Sequence, residues 1–214
     1  MLSGASVVVY MKIDQVMIEE MLGAGATGIY AAAVRISEVC YFIPTILAAS
    51  LFPSIVRTRA SDTERYLRRL QQYFSLNAIL ALAVALPISI LSPFIVVWLF
   101  GPKYSAAAAI LAVHIWASIF VFLGVAREQF LIAEGFFVFS LISTVTGALA
   151  NVVLNLLLIP PYGGLGAAIA TAISYGISAF ALSFFDRRTR FAGWMQLRAI
   201  FMPVLALPAI FRTR

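Results

Sequence analysis

The chain has 214 residues, of which 63% are hydrophobic and only 11% are charged. Soluble domains usually contain about 45–50% apolar and about 25% charged residues, so this composition excludes an ordinary soluble enzyme domain. The mean hydropathy of +1.00 indicates an integral membrane protein. The sequence has a single cysteine and a single histidine, which excludes a disulfide framework and a Cys/His zinc cluster. We expect no metal and no cofactor.

Six apolar runs are long enough to cross a membrane as helices. A crossing of about 30 Å needs about 20 residues at a rise of about 1.5 Å per residue. The predicted spans are residues 2–22, 29–56, 73–100, 104–126, 136–159 and 165–185. Glycine and proline separate the paired spans, because both residues favour turns. The sequence therefore predicts an all-α integral membrane protein whose residues 1–185 form a six-helix transmembrane bundle.

The remaining residues, 186–214, are expected to form a basic cytoplasmic segment followed by a short apolar helix. That helix, residues 199–211, has two prolines and is too short to span, so we expect it to be interfacial or truncated. The first span begins at residue 2 without a basic segment before it, which does not fit a cleaved signal peptide. We expect the six spans to be half of a larger protein.

Basic residues predict the orientation of the bundle. The segments after the second, fourth and sixth predicted spans carry ten arginines, whereas those after the first, third and fifth carry one lysine. Because positive residues remain on the cytoplasmic side, we expect a multi-pass membrane protein with a cytoplasmic N-terminus. The arginine-rich run 57–69 is expected to form an amphipathic cytoplasmic helix that rests on anionic lipid. Nucleic acid is not an expected partner.

Charged residues inside the first two spans are the strongest functional signal, because ionisable groups within a membrane usually face a bundle interior or a water-filled cavity. These residues are Lys12, Asp14, Arg35 and Glu38. With the second helix starting at Ile29, the last three would lie about 9–13 Å from the outer end, at nearly one level. Two interpretations are open: two ion pairs that lock the first hairpin, or a polar site that binds a charged headgroup or a coupling cation.

Three further polar residues are predicted to lie inside the bundle. His114 is expected to be a neutral, hydrogen-bonded imidazole, and a proton relay is the alternative because histidine titrates near neutral pH. Asn151 and Asn155 are four residues apart and therefore share a helix face. Amide side chains commonly hold transmembrane helices together, so we expect these two to pack helices first and to line a cavity second.

Two parts of the sequence carry a family resemblance. Residues 12–18 (KIDQVMI) and 27–38 (TGIYAAAVRISE) form the first part, and residues 151–160 (NVVLNLLLIP) and 162–171 (YGGLGAAIAT) form the second. Together they resemble the C-terminal lobe of bacterial polysaccharide flippases in the multidrug/oligosaccharidyl-lipid/polysaccharide exporter superfamily. The resemblance implies a two-lobe transporter of the bacterial cytoplasmic (inner) membrane with six helices per lobe. It would pass an isoprenoid-pyrophosphate-linked oligosaccharide to the outer leaflet by alternating access, in polysaccharide, lipopolysaccharide or O-antigen biosynthesis.

The resemblance also suggests partners and residue roles. The partners would be the lipid-linked oligosaccharide, membrane lipids and an N-terminal six-helix lobe that this chain lacks. Lys12 and Arg35 are the candidates for contact with the substrate headgroup, and Asp14 and Glu38 are the candidates for a coupling ion.

Other functions remain open at this point. A multidrug cation antiporter of the same superfamily would need a net acidic cavity, whereas a flippase would need a net positive one. A non-transporting scaffold or enzyme subunit would show no polar groove. No catalytic constellation emerges, and we expect the chain not to be an enzyme.

Overall fold

The computed structural model describes residues 2–59 and 61–201, with the backbone alone for residues 2–11. The described residues form eight α-helices and two 3₁₀ turns, and they contain no strand. The helices are α1 (Leu2–Leu22), α2 (Ala24–Val39), α3 (Phe42–Arg57), α4 (Thr63–Phe100), α5 (Ala107–His114), α6 (Ala117–Glu134), α7 (Phe137–Ala179) and α8 (Arg190–Phe201). The 3₁₀ turns are Pro102–Tyr104 and Ala181–Phe184. The all-α membrane-protein class is confirmed.

Four helical segments are long and apolar enough to cross a membrane. They are Ala24–Arg57, Thr63–Phe100, Ala107–Glu134 and Phe137–Phe184. The first segment begins before the predicted span 29–56, the second begins before the span 73–100, and the third ends beyond the span 104–126. The first and third segments are each made of two helices.

The joint between α2 and α3 lies at Cys40 and Tyr41. Pro44 has no N–H, so it cannot bond the carbonyl of Cys40 four residues earlier. The Ile43 N–H donates to that carbonyl instead, at 3.2 Å, and the Cys40 and Tyr41 N–H groups also bond three residues back rather than four. The chain therefore tightens for one turn and continues as α3.

A second joint separates α5 from α6 at Ile115 and Trp116. The Trp116 N–H bonds the carbonyl of Val113, three residues back, which leaves the Ala112 carbonyl without its usual helical donor. The Ser89 hydroxyl of α4 donates to that carbonyl at 2.9 Å and accepts a hydrogen bond from the Trp116 indole at 3.2 Å. A side chain of the neighbouring helix thus provides the hydrogen bond that the carbonyl at the break would otherwise lack.

Helix α7 is a hairpin with two antiparallel arms, residues 137–162 and 164–179. The reversal is at Gly163, whose φ of 59° and ψ of −139° are accessible mainly to glycine. The arms approach closely, because a Cβ added at Gly166 would collide with the carbonyl of Leu158. Farther from the turn, Asn151 of the first arm bonds Ser174 of the second. The hairpin places the two predicted spans 136–159 and 165–185 side by side.

The arginine-rich segment departs from the sequence prediction. Instead of an amphipathic helix over 57–69, α4 begins at Thr63 and continues directly into the membrane segment, with the Asp62 carboxylate accepting from the Arg65 N–H at 2.8 Å. Tyr66 and Leu70 on this first part of α4 are buried in the core of the bundle. This part of α4 is therefore held by packing on neighbouring helices, and lipid contact is not needed to form it.

Helix α8 packs against α4 and the end of α7. The Gln71 amide donates to the Met195 carbonyl at 3.1 Å, and the buried Gln196 amide donates to the Ala179 carbonyl at 2.9 Å. The basic segment predicted from residue 186 thus folds back onto the bundle through residue 201. Most of the apolar run predicted as an interfacial or truncated helix, residues 199–211, lies outside the described residues.

The apolar core has two clusters, one toward each end of the bundle. The first surrounds Ile18, Tyr30 and Leu111, and the second surrounds Tyr66, Phe74 and Leu131. The polar residues of the candidate site lie beside the first cluster.

Candidate functional site

Asp14 is buried at the point where α1 meets α2 and both arms of α7, with 5% of its surface exposed. Its carboxylate accepts three hydrogen bonds from neutral side chains. The Tyr30 hydroxyl donates to Oδ2 at 3.0 Å, the Thr171 hydroxyl donates to Oδ2 at 2.6 Å, and the Asn155 amide donates to Oδ1 at 2.6 Å. A buried carboxylate without a cationic partner requires such donors, because leaving it unpaired would be costly. We call Asp14, Tyr30, Asn155 and Thr171 the Asp14 cluster.

The cluster continues along the hairpin of α7. The second N–H of the Asn155 amide donates to the Asn151 Oδ1 at 3.2 Å, and the Asn151 amide donates to the Ser174 hydroxyl at 3.4 Å. The Oδ1 of Asn155 is buried and has no hydrogen-bond partner among the described residues. The cluster therefore contains a carboxylate and an unpaired amide oxygen in one buried place.

His114 lies on the other side of Tyr30. It is 3% exposed, its ring packs edge-on against the Tyr30 ring at 6.2 Å, and its Nδ1 lies 2.7 Å from the Ser37 hydroxyl. The Ser37 hydroxyl also lies 2.9 Å from the Val34 carbonyl. A hydroxyl has one proton, so the tautomer of His114 decides whether Nδ1 donates to Ser37 or accepts from it. His114 also ends α5 and Ser37 lies in the last turn of α2, so this bond joins the two helix breaks.

The other three charged residues lie on the surface of α1 and α2. The Lys12 ammonium bonds the Glu38 carboxylate at 3.1 Å, with side chains 48% and 24% exposed. Arg35 is exposed and has no ion-pair partner among the described residues. We call Lys12, Arg35 and Glu38 the charged face. It holds two cations and one acid, whereas Asp14 points into the bundle.

This geometry corrects the predicted arrangement of the four charges. Helix α2 begins at Ala24 rather than Ile29. Arg35 and Glu38 therefore lie about 16 and 21 Å along the helix from the turn, against about 12 Å for Asp14 at 1.5 Å per residue. The single level predicted for them is wrong. The interpretation that joins the four charges in two ion pairs finds only one of them among the described residues, between Lys12 and Glu38.

Several residues of the site were not anticipated from the sequence. Tyr30, Ser37, Thr171 and Ser174 each look like ordinary helix residues, and nothing in their spacing indicates that they meet Asp14 or His114. The available signal for Tyr30, Ser37 and Thr171 was weak: all three lie inside the segments that carry the family resemblance. The predicted polar residues Asn151 and Asn155 do lie on one buried face, and the structure brings Asn155 into contact with Asp14.

Sequence comparison identifies three relatives. The chain is 30% identical over 171 residues to the probable flippase AglR of Haloferax volcanii, covering 77% of this chain and 35% of the relative. It is 22% identical over 205 residues to the probable low-salt glycan biosynthesis flippase Agl15 of the same organism, covering 90% and 43%. The uncharacterized membrane protein EpsK of Bacillus subtilis is 33% identical over 111 residues, covering 50% and 22%. The chain thus spans less than half the length of each relative.

Structural comparison agrees with the sequence. The fold matches the lipid II flippase MurJ in its inward closed conformation with a TM-score of 0.69 and 17% sequence identity, over 96% of this chain and 46% of MurJ. No protein-family model matches the sequence. The relatives in sequence and the match in fold lead to the same group of membrane proteins. The chain belongs to the multidrug/oligosaccharidyl-lipid/polysaccharide exporter superfamily, among the polysaccharide and lipid-linked oligosaccharide flippases.

Proposed function

We propose that this chain forms one lobe of a transporter that flips an isoprenoid-pyrophosphate-linked oligosaccharide across the cytoplasmic membrane for the assembly of a cell-surface polysaccharide such as O-antigen. The observation that carries the proposal is the charged face. Charged side chains within membrane segments avoid hydrocarbon and face a bundle interior or water. Lys12, Arg35 and Glu38 are partly or fully exposed on this lobe, so they need a second protein wall or an aqueous cavity beside them.

The charge of this face supports an anionic substrate. The three residues of the charged face carry a net charge of +1, and the ion pair of Lys12 with Glu38 leaves Arg35 available. The exposed Glu19 and Glu20 lie two turns farther along α1, near its outer end. A guanidinium offers a planar set of donors that binds phosphate oxygens in pairs. In our proposal Arg35 contacts the pyrophosphate, and Lys12 joins it when the substrate competes with Glu38. A transporter of cationic drugs would need the opposite charge, and a scaffold would need no such face.

The Asp14 cluster is proposed as the coupling-ion site. Carboxylate, amide and hydroxyl oxygens are ligands suited to hard cations, and Asn155 Oδ1 is an oxygen that no described residue satisfies. The cluster joins both arms of the α7 hairpin to α1 and α2. A monovalent cation held there would therefore favour one arrangement of these helices over another. Glu38 is the weaker candidate, because Lys12 already neutralises it.

A second lobe and a cytoplasmic N-terminus complete the proposal. The length of the relatives supports the first, since the chain covers 35% of AglR and 46% of MurJ. The distribution of arginines supports the second, because eight of the thirteen lie in residues 57–69, around the start of α4, and in residues 187–190, around the start of α8. The chain then acts as a transporter lobe and not as an enzyme.

Transport in proteoliposomes tests the proposal. The sample is a fusion protein in which this chain replaces the matching region of AglR, so that a second lobe is present. The substrate is a fluorescent polyprenyl-pyrophosphate oligosaccharide, and a fluorescent phosphatidylcholine is the control lipid. We expect the fusion protein to speed the movement of the glycolipid between leaflets relative to protein-free vesicles, and to leave the movement of the control lipid unchanged. Arg35→Ala should slow the movement of the glycolipid about tenfold or more. Equal movement of both lipids, or no effect of Arg35→Ala, would contradict the proposal.

A further inference from the structure

The basic end of the bundle contains an open recess of about 360 Å³. It lies where the end of α3, the start of α4, the end of α6 and the start of α8 come together. The lining is divided into two parts. Leu67, Phe130, Phe136 and Phe191 form an apolar wall, and two arginines with one glutamate form a polar rim. The recess is separate from the Asp14 cluster and from the charged face.

The glutamate of the rim is already neutralised. The Glu134 carboxylate accepts from the Arg59 guanidinium at 2.6 Å and from the Tyr66 hydroxyl at 3.1 Å. Arg59 also donates to the Ala133 carbonyl at 2.9 Å. Arg188 is exposed, and its guanidinium has no partner among the described residues. The rim therefore offers one uncommitted cation beside a fixed ion pair, which attracts an anion.

The apolar wall indicates what kind of anion fits. The rings of Phe130 and Phe136 pack edge-on at 6.3 Å, and Phe191 is 40% exposed beside them. A small hydrophilic anion gains nothing from such a wall, whereas an acyl chain gains free energy by covering it. A basic pocket between membrane helices on the cytoplasmic side is a recognised type of site for anionic lipid headgroups.

We propose that this recess binds an anionic phospholipid, with Arg188 contacting the phosphate and the aromatic wall contacting the start of an acyl chain. The site goes beyond the proposed transport activity, because it requires neither the charged face nor a second lobe. It would anchor α8 and the start of α4 to the lipid leaflet.

Native mass spectrometry of the full chain in detergent tests this site with phosphatidylglycerol, and phosphatidylcholine is the neutral control. Arg188→Gln is expected to weaken phosphatidylglycerol binding about fivefold, the effect of removing one cation near a lipid surface. Arg187→Gln is the matched control, because Arg187 is the adjacent exposed arginine and does not line the recess. Equal effects of the two substitutions would overturn the proposal.

A gain of binding provides an independent test. Glu134→Gln removes the acid of the rim and releases Arg59, so phosphatidylglycerol should bind about fivefold more tightly. Glu64→Gln makes the same change of charge at a side chain that is 90% exposed and outside the recess, and it should change binding less than twofold. Glycerol phosphate should not displace the lipid, because it lacks the acyl chain. Displacement by millimolar glycerol phosphate would show a simple phosphate site and contradict the lipid assignment.

Discussion

The side chains of Asp14 and Asn155 are hydrogen-bonded at 2.6 Å although 141 residues separate them in the sequence. This bond connects α1 to the hairpin of α7, and Tyr30 and Thr171 complete the shell around the same carboxylate. Helices that contribute to one buried polar cluster cannot shift relative to one another without breaking its hydrogen bonds. A ligand of the cluster would therefore affect the arrangement of the lobe.

The first prediction concerns a cation at this cluster. NaCl should raise the melting temperature of the purified chain relative to choline chloride, because a ligand that binds only the folded state stabilises it by about 2.7 kcal/mol at a hundredfold excess over Kd. Asp14→Asn should abolish the salt-specific shift, since the amide carries no charge. Glu38→Gln should retain it. A shift that survives Asp14→Asn, or the absence of any shift with alkali cations, would contradict the coupling-ion assignment.

The ion pair of Lys12 with Glu38 should contribute little to stability. Both side chains are partly exposed, and pairs in contact with water usually contribute about 0.2–1 kcal/mol. A double-mutant cycle with Lys12→Gln and Glu38→Gln measures the coupling through thermal unfolding of the fusion protein. A coupling well above about 2.5 kcal/mol, the insertion penalty of a charge in hydrocarbon, would indicate that this face meets lipid rather than water.

The close approach of the two arms of α7 should make Gly166 intolerant of any side chain. Gly166→Ala places a methyl group against the Leu158 carbonyl, and a backbone atom cannot rotate away. We expect a loss of about 1–3 kcal/mol or more in stability, measured as thermal unfolding in detergent. Gly28→Ala is the matched control, because a Cβ there meets nothing within 4 Å. It should be neutral or slightly stabilising, as alanine favours helix over glycine.

A fourth prediction concerns the second lobe. Expressed without one, the chain should insert into the membrane but should not move the fluorescent glycolipid in proteoliposomes, because one lobe supplies only one wall of a cavity. Membrane abundance and glycolipid movement are measured in parallel with the AglR fusion protein. Movement by the chain alone at the rate of the fusion protein would show that the second lobe is unnecessary.

The sequence predicts the membrane class and the approximate position of the spans, because long apolar runs have few alternatives to transmembrane helices. It places the second helix wrongly because Gly25 and Gly28 resemble turn residues, whereas only Gly23 in this stretch has a positive φ. The joints at Cys40–Tyr41 and Ile115–Trp116 depend on hydrogen bonds that Pro44 removes and Ser89 supplies. Those contacts are set by packing and not by local composition.

The candidate site was likewise predictable only in part from the sequence. Asp14 and Asn155 are conspicuous in the sequence as polar groups in apolar runs, and both lie in the buried cluster. Their assignment to partners could not be predicted, because it depends on how α1 and the two arms of α7 are rotated. The interpretation of four charges as two ion pairs failed for the same reason. Asp14 is buried whereas Arg35 is exposed. The spacing of residues along a single helix does not show which of the two faces the core.

Water access beside Arg35 is the most direct test of the account. In the fusion protein with Cys40→Ala, Val39→Cys places a thiol one helical turn from Arg35, at a position that is 61% exposed, and leaves Arg35 in place. That thiol should react with a hydrophilic methanethiosulfonate reagent in intact membranes, and polyprenyl pyrophosphate should slow the reaction. Leu149→Cys is the control, because Leu149 is 63% exposed in the first arm of α7 and should face lipid and remain unmodified. Failure of Val39→Cys to react, or reaction that polyprenyl pyrophosphate leaves unchanged, would contradict the assignment of the charged face to substrate.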